Sequence, residues 1–422
     1  MSWTTLSLPT SGLVWVRKMI KKTLVLAIVL GLLLVALSPV QAQTEVAVPE
    51  ASAWAVFPTS LDFNLSIESE VNITDIRLHY IVDREGFARV TSEVNIDFTP
   101  DTSVTASWTW DMRKTGGMPS GTVVEYWWTI ADASGNRFKT ARQQVHFDDN
   151  RYSWHILTEG NITLYWYQGD DSFAQELMLT SQQALTRLAE DTGAHLERSV
   201  KVYIYASATD LKGAMIFPQE WVGGVAYTTQ GTVAISIAPE NIEWGKRAIV
   251  HELTHLVTHQ MTFNPYNSLP TWLNEGLSMY AEGELEAIYQ AYLEQALAQN
   301  NLISVRSLAS PFSAYATQSY LSYAQSYSLV EFLINSYGQD KMFELLSNFK
   351  QGSSYDGALI SVYGFDMAGL NVLWRDYLTE QFQPAGEKAS SPTQVATLSA
   401  LATTLLLGLG LVVEGWAWRR GQ

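Results

Sequence analysis

Cysteine is absent from this sequence of 422 residues. Its absence excludes disulfide-stapled scaffolds, cysteine proteases and metal sites built on thiolates. Histidine is scarce as well, with only seven residues in the chain. Any strongly bound metal ion must therefore depend on a few histidines together with aspartate or glutamate side chains.

Basic residues are also few. The chain has 26 Lys and Arg against 42 Asp and Glu, which gives a formal net charge of -16. A protein that binds nucleic acid needs a basic face, so we expect no nucleic-acid partner. Hydrophobic residues make up 47%, which provides ample apolar surface to bury and excludes a disordered chain. The length favours at least two domains.

The first segment, 1–42, has the pattern of a signal peptide. A basic stretch at 17–22 precedes an apolar run at 23–37, and a small residue, Ala42, marks the expected cleavage site. Met19 is a more usual start for such a segment than the first residue of the chain. An uncleaved signal anchor is the alternative. An exported chain without cysteine suggests a bacterial protein.

The other end carries a second apolar run, at 395–413, without a charged residue. Its length is sufficient for a transmembrane helix, and Arg419 and Arg420 predict that the tail, 414–422, is cytoplasmic. Residues 384–394 are typical of a flexible stalk. The sequence therefore predicts a single-pass protein of the cell membrane, with this helix as the membrane contact and the domains outside the cytoplasm.

Residues 43–150 have the pattern of short strands. Residues 61–67 alternate between apolar and polar, and 76–82 form another apolar-rich run. Six or seven such strands with turn signals between them predict an immunoglobulin-like or fibronectin-type β-sandwich. Aromatic residues on these strands are expected to fill or edge the core, with a carbohydrate-binding stripe as the alternative: Trp108, Trp110, Tyr126, Trp127 and Trp128.

Residues 151–383 change from strands to helices. Strands are expected at 162–167, 200–205, 222–229 and 233–237, and the first helix is expected at 173–192. Later helices are expected at 243–261, 270–299, 317–337, 339–350, 356–363 and 366–382. A few strands followed by many helices is typical of an α+β domain.

The sequence His251-Glu252-Leu253-Thr254-His255 lies in a run whose apolar residues recur at helical spacing. On such a helix the two histidines stand one turn apart on one face, where both can bind a single Zn²⁺. Glu252 is not a third ligand from that face, but it can take a proton from the attacking water. The alternative is a buried structural helix in which the two histidines and the glutamate have no catalytic role. Each of these polar side chains would then need a hydrogen-bond partner.

A catalytic zinc ion needs a third protein ligand. His259 is nearest in sequence, but it would lie about 12 Å from His251 along a straight helix, and three turns of one helix cannot surround a tetrahedral ion. Glu275 is the better candidate. Residues 263–265 would end the first helix and Pro270 would start a second, so an antiparallel pair would return Glu275 to the histidines.

These residues carry a family resemblance. His-Glu-Leu-Thr-His at 251–255, followed by Trp-Leu-Asn-Glu-Gly-Leu at 272–277, closely resembles the gluzincin metallopeptidases. The sequence is most similar to the branch that contains the zinc aminopeptidases and their shorter, bacterial peptidase MA-like relatives. The resemblance covers residues 155–383 and is strongest over 251–283. It implies four functional residues, the zinc ligands His251, His255 and Glu275 and the general base Glu252.

The resemblance extends to two further features. Tyr323 falls on the family's catalytic tyrosine, whose phenol can donate a hydrogen bond to an oxyanion, although Tyr320 and Tyr327 are close neighbours. Gly223 and Gly224 occupy the place of the edge strand along which family substrates lie. Glycine there lets a substrate backbone approach closely, and a simple turn or bulge is the alternative.

The aminopeptidases of this family carry an acidic residue in that strand, which helps to hold the free amine of the substrate. None occurs from Val222 to Thr229, and Glu220 precedes the strand, so the choice between terminal and internal bonds stays open. The sequence predicts a membrane-anchored extracytoplasmic zinc peptidase that acts on a peptide or protein. The alternative is a non-catalytic surface binding module with a peptidase-like, zinc-containing fold.

Overall fold

The computed structural model describes residues 49–84, 88–218, 222–313 and 316–382. These residues form two β-sheets followed by a largely helical region. The expected signal peptide, stalk, transmembrane helix and tail all lie outside the described residues.

Seven strands form the first sheet. They are β1 (Glu50–Val56), β2 (Ser60–Val82), β3 (Ser92–Asn95), β4 (Asp101–Asp111), β5 (Thr122–Asp132), β6 (Arg137–Lys139) and β7 (Gln143–Phe147). The long strand β2 pairs with β1 and β4 through its first half and with β3 and β5 through its second half. Alternate side chains of β2, beginning with Leu61, Phe63 and Leu65, are fully buried, as the alternation in the sequence predicts.

The predicted β-sandwich requires a correction, because hydrogen bonds join all seven strands into one curled sheet. Residues 61–67 and 76–82, which were expected as separate strands, both belong to β2. No Gly or Pro separates them, and the ladder shifts register between Glu68 and Ile73. A bulge of this kind bends a strand without ending it, so the sheet curls around its own core. Trp110, Tyr126 and Trp128 pack in that core.

The second sheet has five strands, β8 (His155–Glu159), β9 (Ile162–Trp166), β10 (Val200–Tyr205), β11 (Gly224–Tyr227) and β12 (Thr232–Ser236). Their order is β11-β12-β10-β9-β8, with a parallel centre and antiparallel outer strands. Side chains of β10 alternate between two cores. Val202 and Ile204 pack toward the helices, whereas Tyr203 and Tyr205 pack against the first sheet. The central strand is therefore buried on both faces.

The helices are α1 (Asp171–Thr192), α2 (Ala208–Lys212), α3 (Ile242–Thr262), α4 (Thr271–Glu282), α5 (Ala287–Ala298), α6 (Val305–Leu308), α7 (Ala316–Tyr337), α8 (Gln339–Lys350), α9 (Tyr355–Tyr363) and α10 (Met367–Phe382). The single helix expected at 270–299 is two helices. Gly283 follows α4 with a φ of 108°, a conformation that favours glycine and ends the helix. The α+β character of this region matches the expectation.

The membrane-spanning part of the fold prediction also requires a correction. Within the ranges that the structure describes, no helix combines the length and the apolar character needed to cross a bilayer. The segment 395–413 lies beyond those ranges. The structure therefore does not support a single C-terminal transmembrane helix, nor the single-pass localisation and membrane contact that depend on it.

Candidate metal centre

Helix α3 presents the His-Glu-Leu-Thr-His sequence. Its apolar residues Ile249, Leu253 and Val257 are fully buried against the core, which leaves His251 and His255 on the partly open side. Ring centroids of the two histidines lie 4.9 Å apart. The helical spacing thus brings both imidazoles to one face, as the sequence predicts.

Helix α4 returns along α3 and carries Glu275. Trp272, Leu273 and Leu277 anchor α4 in the core. Gly276 has no room for a side chain, because a Cβ there would overlap the backbone carbonyl of Ser326 in α7. The close packing of α4 on α7 at this glycine fixes the position of α4 and, with it, the position of the neighbouring Glu275 carboxylate.

Three side chains converge at this point. The Oε2 atom of Glu275 lies 3.3 Å from Nε2 of His251 and 3.7 Å from Nε2 of His255, and the three potential ligand atoms all lie within 4.8 Å of one another. Atoms about 2.0–2.1 Å from a tetrahedral zinc ion lie about 3.4 Å from one another. The donor set and its spacing therefore fit Zn²⁺.

Neighbouring side chains contact the Nδ1 atoms of the two imidazoles. Oε1 of Glu282 lies 2.7 Å from Nδ1 of His251, and Oγ of Ser278 lies 3.2 Å from Nδ1 of His255. Arg247 forms an ion pair with Glu282 at 3.1 Å. Such contacts fix the ring orientation of histidines that bind metals.

Electrostatics at the centre favour a cation. Burial alone would lower the pKa of His251, but the carboxylates of Glu275 and Glu282 raise it well above its usual value. Burial alone would raise the pKa of Glu275, yet His255 and His251 lower it on balance. An imidazole between two carboxylates stabilises positive charge, which either a proton or a metal ion can provide.

Glu252 lies beside the three converging residues and against the edge strand β11. A Cβ on Gly224 would lie 2.7 Å from Oε1 of Glu252, so a side chain at position 224 would displace the carboxylate. Burial raises the pKa of Glu252, while the nearby His255 and His251 lower it to a smaller extent. Gly223, the residue just before β11, lies against the ring of Trp244, because a Cβ on Gly223 would stand 3.3 Å from that ring.

Of the three neighbouring tyrosines on α7, Tyr323 faces the centre. Its ring centroid lies 6.3 Å from that of His251. Burial, followed by the carboxylates of Glu275 and Glu252, raises the pKa of its phenol. Tyr320 instead packs against two tyrosines of α5, and Tyr327 lies against Tyr280.

A cavity of about 840 Å³ opens beside the centre. His255, Glu275 and Tyr323 form its inner end, and the loop 263–269 forms an outer wall. Asn264 fastens this loop, since its Nδ2 donates to the carbonyl of Phe349 at 2.7 Å. The cavity gives a ligand direct access to two of the three converging side chains, His255 and Glu275.

His259 lines the same cavity but does not belong to the converging group. Its Nε2 is buried and has no hydrogen-bond partner in the described part of the chain. Burial lowers the pKa of His259. The residue therefore contributes a neutral ring to the wall.

Sequence reasoning did not identify Glu282, Ser278 or Gly276. Glu282 lies seven residues after Glu275, so a helical reading would have put both carboxylates on one face of α4. Gly276 stands inside a helical pattern, a position where glycine is costly unless close packing requires it. Ser278 gives no comparable signal.

Residues 180–380, which include all the residues of the candidate metal centre, match the family model of the Peptidase MA superfamily. The expected resemblance to peptidase MA-like gluzincins is confirmed. The immunoglobulin-like part of that expectation is not confirmed, in keeping with the single curled sheet. No curated protein matches this sequence.

Solved structures give weaker likenesses. A zinc metallopeptidase of the M1 family from Deinococcus radiodurans is 13% identical, with 76% of this chain and 90% of that chain covered at a TM-score of 0.31. A β-1,3-glucan binding domain of carbohydrate-binding module family 56 is 18% identical. That alignment covers 23% of this chain and 98% of the domain at a TM-score of 0.16. TM-scores this low do not establish a common fold.

Proposed function

We propose that this protein hydrolyses peptide bonds, with a zinc ion held by His251, His255 and Glu275. The observation that supports this most is the convergence of three ligand atoms within 4.8 Å of one another inside a region that matches the Peptidase MA superfamily. A zinc ion bound there would act as a Lewis acid and lower the pKa of a water molecule.

Glu252 is the proposed general base. It accepts a proton from the water that attacks the scissile carbonyl and then gives the proton to the departing amine. The reaction adds one water molecule across the amide and yields a carboxylate and an amine. The short approach between Gly224 and the Glu252 carboxylate supports this role, because a backbone bound along β11 would pass next to the base.

Tyr323 is the proposed hydrogen-bond donor to the oxygen of the tetrahedral intermediate. Its ring lies beside His251, and it lines the cavity together with Glu275. A donor aimed at the developing oxyanion stabilises the transition state more than the bound substrate. Gly223 and Gly224 are the proposed substrate contacts, since neither has a side chain that would obstruct an approaching backbone.

The test compares the full chain with Glu252→Gln and with a control on the same helix, Glu243→Gln. The side chain of Glu243 is 82% exposed. Zinc is determined by elemental analysis, and cleavage is followed with a quenched peptide library. We expect about one zinc per chain in all three proteins, and cleavage that falls at least about 100-fold only in Glu252→Gln.

Two results would contradict the proposal. Bound zinc without cleavage by the unaltered protein would favour a non-catalytic binding module on a peptidase-like fold. A chain that binds no zinc would show that the ligand assignment is wrong.

A further inference from the structure

We propose that two copies of this chain associate edge to edge through strand β8. The β8 strand of one copy pairs antiparallel with that of the second copy around a twofold axis at Leu157, so that the second sheet continues from one copy into the other. The open edge of β8, the direction of its main-chain groups and the order of its side chains all support this pairing. The association is independent of the proposed zinc chemistry.

Strand β8 has an open outer edge. It is terminal in the order of the second sheet, and among the described residues no strand pairs with its other side. Four of its five residues are exposed, Ile156 to 61%, whereas all four residues of β11 at the opposite edge are partly buried. Natural edge strands are usually protected by Lys, Pro or a bulge. Strand β8 contains neither residue and pairs with β9 without a shift in register.

The hydrogen bonds of β9 show which main-chain groups of β8 face outward. The carbonyl of Asn161 accepts a hydrogen bond from the N–H of Val200 in β10 at 2.8 Å. Because main-chain groups alternate in direction along a strand, those of the next residue, Ile162, face β8. Ile162 lies opposite Glu159. Every second residue of β8, counted back from Glu159, therefore bonds to β9, and the two residues between them direct N–H and C=O to the open edge.

Ile156 and Thr158 are those two residues. When Leu157 of an antiparallel second copy lies on the twofold axis, Ile156 of each copy stands opposite Thr158 of the other. Each of the two pairs exchanges two hydrogen bonds, so self-pairing satisfies all four outward groups of both strands. A shift of two residues in either direction leaves only one such pair within the strand. The main chain therefore favours the register centred on Leu157.

The side chains of β8 fit the same register. His155 of each copy lies opposite Glu159 of the other, and the two Leu157 side chains meet at the axis. These are non-hydrogen-bonded pairs, whose side chains approach most closely. Gln182 donates to Oε2 of Glu159 at 2.9 Å and holds the carboxylate beside this edge. An imidazole opposite a carboxylate is a favourable cross-strand pair. The two ends of one strand complement each other, which favours a second copy of the chain as the partner.

Helix α1 adds to the contact. It packs on β8 and β9, on the face of the sheet that carries Leu157. Strands lie about 4.8 Å apart, so a helix above the gap between β8 and β9 lies about 5 Å from the axis, and the two copies of α1 come to about 10 Å, where helices pack. Beside the hairpin, α1 presents four uncharged residues, with Glu190 at their end: Gln182, Leu185, Thr186 and Ala189. An uncharged contact suits two copies that each carry a net charge of -16.

The first experiment measures self-association of the full chain by analytical ultracentrifugation, in a mild detergent because of the apolar runs at 23–37 and 395–413. The contact is small, so we expect a dimer with a Kd on the order of 10 µM. Ile156→Lys should raise this Kd at least about tenfold, because a charge on an edge strand opposes pairing. Ile360→Lys is the control, since Ile360 is 54% exposed on α9, and it should leave the Kd unchanged.

Thr158→Pro is a second variant, for use if Ile156→Lys lowers the thermal stability. The N–H of Thr158 faces the open edge, so proline there leaves the hydrogen bonds to β9 intact and should weaken the dimer as strongly. A monomeric unaltered chain at about 100 µM, far above the expected Kd, would overturn the inference. Association that both β8 variants leave unchanged would also overturn it, since the contact would then lie elsewhere.

The second experiment tests the register. The chain has no cysteine, so Leu157→Cys introduces a single thiol. Cα atoms of a non-hydrogen-bonded antiparallel pair lie about 4.5 Å apart, within the range for a disulfide. We expect mild oxidation to give a covalent dimer of Leu157→Cys. Thr158→Cys is the control, because its thiol is more exposed but lies opposite position 156 of the partner copy, and it should cross-link at least tenfold more slowly. Equal rates for the two variants, or no dimer of Leu157→Cys, would overturn the pairing at Leu157.

Discussion

Glu282 Oε1 lies 2.7 Å from Nδ1 of His251, while Nε2 of the same ring faces Glu275 at 3.3 Å. The two ring nitrogens therefore have separate partners. A carboxylate at Nδ1 keeps the proton on that nitrogen and leaves the Nε2 lone pair for a metal ion. Glu282 is thus a positioning residue for the proposed zinc ligand.

We expect Glu282→Gln to weaken zinc binding about tenfold, because the neutral amide holds the imidazole less firmly and makes it less basic. The measurement is competition for zinc with a chelator of known affinity. Catalytic activity at saturating zinc should fall less than the affinity.

Glu286→Gln provides a matched control for this prediction. Glu286 also pairs with Arg247, at 3.2 Å, but its side chain is 48% exposed and it is not a partner of His251. Its zinc affinity should equal that of the unaltered protein. Equal losses in both variants would mean that Arg247, rather than the orientation of His251, is responsible.

Tyr323→Phe should lower kcat about 100-fold with little change in KM or zinc content. The substitution removes only the hydroxyl, so the packing of the ring against Phe312 is kept. Tyr320→Phe is the control from the same helix, since Tyr320 packs against Tyr289 and Tyr292. Steady-state kinetics that show the same kcat for Tyr323→Phe and the unaltered protein would exclude the phenol from the reaction.

Gly224→Ala should reduce kcat/KM at least tenfold while stability and zinc content stay close to those of the unaltered protein. The added Cβ would stand 2.7 Å from Oε1 of Glu252, and the end of a flexible side chain moves more easily than backbone. A displacement of a catalytic group by about 1 Å can cost about 100-fold in rate. Activity, thermal unfolding and elemental analysis together test this expectation.

Gly223→Ala is the milder partner of that variant. Its Cβ would meet the ring of the exposed Trp244 at 3.3 Å and would leave Glu252 in place. A larger loss of kcat/KM in Gly223→Ala than in Gly224→Ala would contradict the importance of the Gly224 contact.

The part of the site formed by α3 could be predicted because helical spacing is local. His251 and His255 share a face whenever residues 242–262 are helical, whatever the rest of the chain does. The return of Glu275 depends on a reversal between two helices, which Pro265 and Pro270 indicate. The choice among Tyr320, Tyr323 and Tyr327 depends on how α7 packs, and no local pattern contains that information.

The first sheet shows where local patterns were insufficient. Residues 61–67 and 76–82 were expected as two strands, but several of the polar residues between them alternate with Val71 and Ile73 and lie on the exposed face of one continuous strand. In the same way, Gly283 interrupts an otherwise helical run. Glycine inside a helical pattern can either be tolerated or end the helix, and packing decides which.

Asp149 connects the two sheets. It is fully buried, receives a hydrogen bond from the Tyr205 hydroxyl at 3.0 Å and pairs with Arg151 at 2.6 Å. Its own N–H donates to Oγ of Ser120 at 2.8 Å. These contacts tie the segment after β7 to strand β10, whose other face packs toward the helices.

Asp149→Ala should therefore lower the free energy of unfolding by about 3 kcal/mol, because it leaves the Arg151 guanidinium and the buried Tyr205 hydroxyl without their partner. Thermal and denaturant unfolding measure the effect. Glu93→Gln is the control, since it breaks an ion pair with Arg77 in which both side chains are more than 40% exposed, and it should cost less than about 1 kcal/mol. Similar losses in the two variants would show that the buried position of Asp149 adds nothing to the coupling between the sheets.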